Sequence, residues 1–316
     1  MNQVLNVALV GYGHIGKVHA KAIQEINELT LVAIIDSEKV DSDIPHFYDL
    51  DAFIASNVGA DLVIIATPNG LHYEMARKAL SAGMHTVVEK PITLKSSDLA
   101  DLLYLAKSTE KRLFNMLQIR FSPVVQWLKN LLEEKALGEI YMVNTNCYWN
   151  RNADYYNKRA WHGSKTQDGG VLFTQFSHFV DVLHYWFQEL KPKDIRSYNF
   201  NHQDLTAFAD SGHIHFEIPT GGCGSLTYTT SVYQKNFDSN ITIIAEKGTI
   251  QISGQYMNEI AYMNVENINN PFEEACGKQF HTHALTEIKD AITLNRKSIL
   301  DAENAENVIQ FLEVVS

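Results

Sequence analysis

The short apolar run Leu5-Asn6-Val7-Ala8-Leu9-Val10 leads directly into Gly11-Tyr12-Gly13-His14-Ile15-Gly16, and an amphipathic stretch follows. This is a strand, a tight turn and a helix start in immediate succession, and few folds accept that order. The three glycines do different things. Gly11 permits the tight turn, Gly13 lets the backbone approach a pyrophosphate, and Gly16 lets the helix lie close against the strand. The helix start at His14 and Ile15 offers unpaired amide N–H groups and the positive end of the helix dipole to phosphate. A second apolar run, Leu29 to Ile35, ends in Asp36 about twenty residues after the last glycine, where a carboxylate accepts from both ribose hydroxyls. A dinucleotide site is therefore expected. Asp36 repels an added ribose phosphate, and Ser37 and Glu38 bring no arginine to balance one, so NAD is expected rather than NADP.

A chain of 316 residues, 45% hydrophobic and 20% charged, suits two domains that each bury a core. Lys and Arg number 26 against 37 Asp and Glu, a formal net charge of -11 with no basic stripe. That balance argues against nucleic acid or an anionic membrane as partner. No apolar stretch approaches membrane-spanning length, and no secretory leader is expected at the N-terminus. Cys147, Cys223 and Cys276 are scattered, odd in number and form no CxxC pair. A cytoplasmic protein is expected.

Strand-like and helix-like segments alternate as far as Met116. Asp61–Ala66, Thr86–Val88 and Leu113–Met116 read as strands; Gly70–Ala82 and Ser97–Thr109 read as helices. Such alternation specifies a mostly parallel sheet covered on both faces. Ser122-Pro123 then opens a helix that ends near Gly138. Beyond it come a strand over Ile140–Trp149, a helix over Gly170–Phe187, and five strands between Gly212 and Val265. Pro219-Thr220-Gly221-Gly222 and Glu246-Lys247-Gly248 read as hairpin turns. Two helices, His283–Thr293 and Asp301–Val315, follow. The expected fold is α/β: a doubly wound Rossmann domain over residues 1–120, then an α+β domain over 121–316 with a large open antiparallel sheet. The Tyr- and Thr-rich run from Ser225 to Thr230 suggests a sheet face that pairs with a second subunit, giving a homodimer or homotetramer.

Three further segments carry candidate chemistry. In Thr67-Pro68-Asn69-Gly70-Leu71-His72, just after a buried strand, Pro68 bends the chain while Thr67 and Asn69 offer hydrogen bonds to ribose or phosphate. The next strand runs into Glu89-Lys90-Pro91, so Lys90 emerges at the same sheet edge, and the Lys90–Pro91 bond is a candidate for cis. A lysine there, partly desolvated and beside a cationic nicotinamide, suits proton transfer. From spacing alone a surface ion pair in a turn is the simpler reading. The third segment combines Trp161-His162-Gly163-Ser164, Asp168-Gly169-Gly170 and Thr174-Gln175-Phe176-Ser177-His178-Phe179-Val180-Asp181. Thr174 and His178 share a helix face, Asp181 lies three residues on, and an imidazole beside a carboxylate makes a general base. His184 points away from His178, His281/His283 is unsupported, and no metal site is expected.

Together the glycine loop, Thr67-Pro68-Asn69-x-x-His72, Glu89-Lys90-Pro91 and the Gly-Gly helix ending His178-x-x-Asp181 resemble the glucose–fructose oxidoreductase/inositol dehydrogenase (Gfo/Idh/MocA) family. The resemblance implies that Lys90 and His178 are catalytic, flanking the nicotinamide and the reacting sugar carbon. It implies NAD contacts from Gly11, Gly13, His14, Ile15, Asp36, Thr67, Asn69, His72, Glu89, Lys90, Gln118 and Trp161. It further implies substrate contacts from Arg120, Arg151, Tyr155, Tyr156, Thr174, Gln175 and His178. The family often carries Asp or Asn where this chain has Thr174. Trp149-Asn150-Arg151, Tyr155-Tyr156 and Trp161-His162-Gly163-Ser164 resemble the branch that oxidises UDP-N-acetylglucosamine or its uronic acid at carbon three. That branch typically has Trp-Arg-Gly-Thr where this chain has Trp-His-Gly-Ser. Arg151, Lys158 and Arg159 read as diphosphate contacts or as a solvated basic loop. The resemblance implies an NAD-dependent dehydrogenase of a sugar or nucleotide sugar. A free sugar or inositol-type polyol, an NAD-dependent glycosidase and a non-catalytic NAD-binding regulator are the alternatives.

Overall fold

The structure is a computed structural model that describes residues 4–219, 221–272, 274–275 and 279–316; Thr220 and Cys276 lie outside the described residues. The chain divides into two compact units, Met1–Gln118 with Gln279–Ile309, and Ile119–Lys278 with Gln310–Ser316. The leading segment of the first unit ends at Gln118, where the sequence suggests a boundary at residue 120. A linear division fails at the other end, where the chain returns to the first unit.

The first unit contains β1 (Leu5–Val10), α1 (His14–Gln24), β2 (Leu29–Ile35), β3 (His46–Phe47), α2 (Leu50–Ile54), β4 (Leu62–Ile65), α3 (His72–Ser81), β5 (His85–Glu89), α4 (Ser96–Ser108) and β6 (Leu113–Met116). Among the described residues its strands form one six-stranded parallel sheet ordered β3-β2-β1-β4-β5-β6. All of β4 and nearly all of β1 and β5 are buried, as expected for strands covered by helices on both faces. Helix α3 turns His72, Ala76, Ala79 and Leu80 inward, a spacing that keeps one helix face dry.

The second unit opens with α5 (Pro123–Glu133), with Pro123 in the first turn. Ser122 does not cap it with its side chain; its hydroxyl donates to the Met257 carbonyl at 2.8 Å. Then follow β7 (Ile140–Tyr148), α6 (Ala153–Asn157), α7 (Val171–Thr174), α8 (Ser177–Phe187), β8 (Lys191–Tyr198), β9 (Ser211–Glu217), β10 (Cys223–Thr229), β11 (Asp238–Ala245), β12 (Gly248–Ser253) and β13 (Glu259–Val265). Among the described residues the sheet has seven strands, ordered β13-β12-β11-β7-β10-β9-β8. The expectation of an antiparallel sheet needs correction at one place: β10 runs parallel to β7, while the other neighbours are antiparallel. Alternation fixes the register. Leu226 and Tyr228 point into the core, while Ser225, Thr227 and Thr229 sit on the half-exposed opposite face. There Ser225 donates to Asn144, and Thr227 and Thr229 bond His213 and Ser211. Phe176 and Phe179 pack on Trp149 and give the covered face its aromatic core.

Two helices expected as continuous are interrupted. Gly170–Phe187 is split at Gln175 and Phe176 into α7 and α8, and the last helix begins as a 3-10 turn over Ala302–Ala305 before α10 (Glu306–Val315). Helix α9 (Phe280–Thr293) packs on α1 in the first unit. Arg112 anchors this returning segment, donating to the carbonyls of Ala291 and Arg296 at 3.0 Å each and pairing with Asp301 at 2.5 Å. Among the described residues no helix is long and apolar enough to cross a membrane.

Candidate functional site

All strands of the first sheet run the same way, so their C-terminal tips share one edge. That edge collects Gly11 after β1, Asp36 after β2, Thr67 after β4, Lys90 after β5 and Gln118 after β6. The strand order reverses between β1 and β4, where doubly wound sheets open a ligand crevice. Gly11 has φ +89°, and a Cβ there would come within 2.4 Å of the Ala66 carbonyl oxygen. A Cβ on Gly16 would lie 2.0 Å from the Gly11 oxygen, so α1 can sit this close to β1 only with glycine at 16. At Gly13 nothing lies within 4 Å, which leaves an open cradle at the start of α1. Asp36 is held from below, accepting the Tyr12 N–H at 2.7 Å and the Glu38 N–H at 2.9 Å, and each oxygen retains a lone pair for a ribose hydroxyl. Ile15 is an exposed apolar side chain at the helix start. The Gln118 side-chain oxygen is buried and has no hydrogen-bond partner among the described residues. Open cradle, tethered carboxylate and orphaned acceptor fit a dinucleotide.

Three residues expected to touch the cofactor, His72, Asn69 and Glu89, are buried. His72 is fully buried, with ring nitrogens 2.7 Å from the Pro91 carbonyl and 2.9 Å from the Thr67 carbonyl. It staples the turn after β4 to the turn after β5. A neutral ring donates to only one carbonyl at a time; burial lowers its pKa and opposes the second proton, while the two carbonyls and Glu89 favour it. Asn69 is also buried. Glu89 is 6% exposed and turned toward His19, whose Nε2 lies 2.7 Å away; its other oxygen accepts the Lys90 N–H at 3.1 Å. Lys90 itself is half-exposed at the strand tip, and its peptide to Pro91 is cis.

His281, set aside with His283 in the sequence, packs edge-on against His19 and lies 3.8 Å from the same Glu89 oxygen. Burial lowers its pKa to about 4. Among the described residues these three side chains alone bring ligand-type atoms close enough, within 4.8 Å, to hold a metal ion. Their shortest contact is the 2.7 Å hydrogen bond between His19 Nε2 and Glu89 Oε1. Burial pushes the Glu89 carboxyl up, but His19, His281 and Lys90 pull harder and hold it at about 2. Its stabilisation is therefore complete above the ordinary carboxylate pKa and is lost as pH falls toward 2. Glu89→Gln is expected to cost about 1.5–3 kcal/mol at neutral pH, with the gap to the parent protein closing toward pH 2. Urea unfolding across that range measures it.

In the second unit β7 ends beside Trp149, and Arg151 follows. Its guanidinium lies 4.9 Å from the Trp149 ring and 5.2 Å from the Tyr155 ring. Arg151 Nε donates to the side-chain oxygen Oε1 of Gln175 at 2.7 Å, and Gln175 Nε2 donates to the Tyr155 hydroxyl at 2.7 Å. His162 stacks flat on Tyr155 at 4.2 Å and donates from Nδ1 to its carbonyl at 2.7 Å. Trp161 meets His162 edge-on. Burial pushes the Tyr155 phenol up to about 12, so it keeps its proton at neutral pH. Arg151, Tyr155, Gln175, His162 and Trp161 thus form one cationic and aromatic wall. Lys158 and Arg159 are exposed.

Other expected substrate residues are placed differently. Tyr156 is 5% exposed and packs against His202, so it belongs to the interior. Arg120 is 2% exposed and forks onto Asp181, with Nε to Oδ2 at 3.1 Å and Nη2 to Oδ1 at 2.6 Å. The carboxylate expected beside His178 is thereby committed to an arginine. His178, in the first turn of α8, is half-exposed, as is Thr174 at the end of α7. Sequence reasoning missed the partner of Thr174: its hydroxyl donates to the Asp168 carboxylate and carbonyl. The signal was Asp168-Gly169-Gly170, a turn that aims a side chain back at the helix it opens.

Comparison with known proteins assigns both parts of the sequence to one family. Residues 5–116 match the Gfo/Idh/MocA oxidoreductase model, described as an NAD-binding Rossmann fold, and residues 125–251 match a Gfo/Idh/MocA C-terminal domain. The WlbA dehydrogenase from Bordetella pertussis, solved with NADH and UDP-GlcNAcA, superimposes with a TM-score of 0.89 at 26% identity, covering 99% of this chain and 95% of that one. An uncharacterized oxidoreductase of Synechocystis is 30% identical over 190 residues, 58% of this chain and 51% of that protein. The D-glucoside 3-dehydrogenase of Escherichia coli is 27% identical over 204 residues, 62% of this chain and 58% of that protein. The match thus spans little more than half the length of these two curated relatives.

Proposed function

The chain belongs to the Gfo/Idh/MocA oxidoreductase family, and on that footing we propose that it is an NAD-dependent sugar dehydrogenase that oxidises UDP-N-acetylglucosamine or its uronic acid at carbon three. The observation that carries the substrate class is the wall around Arg151. A guanidinium fixed by Gln175 and flanked by Trp149 and Tyr155 suits a diphosphate or carboxylate better than a neutral polyol. Likeness to WlbA at full coverage supports the same reading.

Bound NAD supplies the two-electron acceptor, held by the Gly11–Gly16 cradle and Asp36. Lys90 orients and polarises the oxygen of the reacting carbon. His178 accepts the proton of the hydroxyl, directly or through water, as a positioned imidazole does. His72 and Glu89 act from behind by fixing the turn that carries Lys90. Subunits associate through the half-exposed sheet face that carries Ser225, Thr227 and Thr229.

The protein is mixed with NAD and, in turn, UDP-N-acetylglucosamine, its uronic acid, D-glucosides and inositols, and NADH absorbance is followed. Formation of NADH with a UDP-sugar is the expected result. Formation only with glucosides or inositols would replace the substrate class, and formation with none would overturn the activity.

A further inference from the structure

The loop that joins β8 to β9 carries a buried ion pair that the proposed reaction leaves unused. His202 and Asp210 are 1% and 0% exposed, and the imidazole Nδ1 lies 3.0 Å from Asp210 Oδ2. The same carboxylate accepts the N–H groups of Phe200 and Asn201 at 3.0 and 2.8 Å and the hydroxyls of Ser231 and Ser211 at 2.9 and 2.6 Å. Burial pushes the Asp210 carboxyl up, but His202, Ser211 and the two amides pull harder and hold it well below the usual carboxylate range. On the far side of the ring, His202 Nε2 lies 2.6 Å from the carbonyl oxygen of Arg151. Carboxylate and carbonyl both only accept. A neutral ring serves one of them, and an imidazolium serves both with its charge balanced by Asp210. The Arg151 N–H donates to the Thr230 carbonyl at 2.8 Å, and the Thr230 N–H donates to the Asp210 carbonyl at 2.9 Å. Both main-chain groups of Arg151 thus lead back to Asp210, one through His202 and one through Thr230. Gln175 and Asn236 hold the guanidinium end of the side chain, and His202 holds the end from which it starts.

We propose that His202, oriented by Asp210, is a positioning residue for substrate binding: it fixes the main chain of Arg151, and through it the point at which the guanidinium meets the anionic group of the nucleotide sugar. The inference rests on the reading that Arg151 binds that group. A guanidinium forks onto an anion only where its stem delivers it, so a shift of the Arg151 backbone weakens the contact without removing any group from it. His202 is itself enclosed, so its loss acts on affinity and not on the chemical step. The loop also closes on the neighbouring motif, where the Ala207 N–H donates to the Gly163 carbonyl at 2.9 Å.

The test is a set of variants assayed with NAD and the uronic acid of UDP-N-acetylglucosamine, with thermal melting recorded beside each. His202→Asn keeps a donor near the Nδ1 position for Asp210 but does not reach the Arg151 carbonyl. His202→Gln keeps a donor near the Nε2 position and gives up the contact with Asp210. In His202→Asn, KM should rise about tenfold with kcat little changed, the effect of one lost hydrogen bond felt equally in the bound and reacting sugar. His202→Gln should recover most of that rise although both variants melt below the parent, whereas a merely structural role would make KM follow the melting temperature. Asp210→Asn keeps the ring but loosens its anchor and should also raise KM. Arg151→Met should raise KM on its own, and in that background neither His202→Asn nor Asp210→Asn should add to it, because both act through Arg151. Unchanged KM in His202→Asn and Asp210→Asn, no recovery by glutamine, or additive KM losses beside Arg151→Met would each overturn the inference and leave the function reading standing. Unchanged KM in Arg151→Met, or a parent protein that turns over no nucleotide sugar, would instead remove the reading of Arg151 and this inference with it.

Discussion

Lys90→Ala is expected to lower turnover ~100- to 10000-fold while leaving folding nearly intact, as removal of a positioned proton-transfer group does. The expectation follows from how the backbone is held. Lys90 leaves β5 at the sheet edge that also carries Gly11, Asp36 and Thr67. Its own N–H is tied to Glu89, and the next carbonyl is tied to His72. The side chain is half-exposed, so its loss removes little packing and the melting temperature should hardly move. Lys90→Arg keeps the charge but replaces a compact ammonium with a broad fork, and it should restore little activity. Steady-state NADH formation gives the rate, and fluorescence titration with NADH gives cofactor affinity. Turnover within tenfold of the parent in Lys90→Ala would make this lysine a surface turn residue, the other reading its spacing allows.

What could be read from the sequence was what a short stretch of backbone dictates by itself. The glycine loop, Asp36, the Thr67-Pro68-Asn69 turn and Glu89-Lys90-Pro91 each force a local geometry, and a parallel sheet then gathers them at one edge without further information. Pairings between distant segments left no such mark. His281 joins His19 and Glu89 only because α9 returns to α1, and a helix with an ordinary apolar stripe does not announce which helix it will meet. Strand β8 was missed because nearly all of it is exposed, so it has no alternation of apolar and polar residues. The parallel β7–β10 pair was missed because register follows from the whole sheet. Arg120 illustrates the cost of reading role from position: a charge near a motif looked like a ligand contact, but an equally placed acid on α8 claims it.

That pair gives the second large effect. Asp181→Ala is expected to destabilise the protein by ~3–5 kcal/mol, because it leaves a buried guanidinium without its carboxylate. Both side chains are almost fully enclosed, at 3% and 1% exposure, and Arg120 also sits 5.0 Å from the Tyr185 ring. Burial pushes the Asp181 carboxyl up, and the two-point contact with Arg120 opposes that rise and favours the ionised form. A loss of this size is a large share of the ~5–15 kcal/mol that ordinarily separates folded from unfolded protein. The double change Arg120→Met with Asp181→Leu removes both charges together and should recover most of the lost stability, since the desolvation cost disappears with the attraction. Chemical denaturation of the three proteins measures this directly. It also separates the two roles Arg120 could have. If Arg120 bound the sugar, the double variant would fold well yet show a sharply raised KM. If Arg120 exists to hold α8 behind His178, the double variant folds well and keeps its KM, and that is the result expected from a guanidinium buried against its own unit.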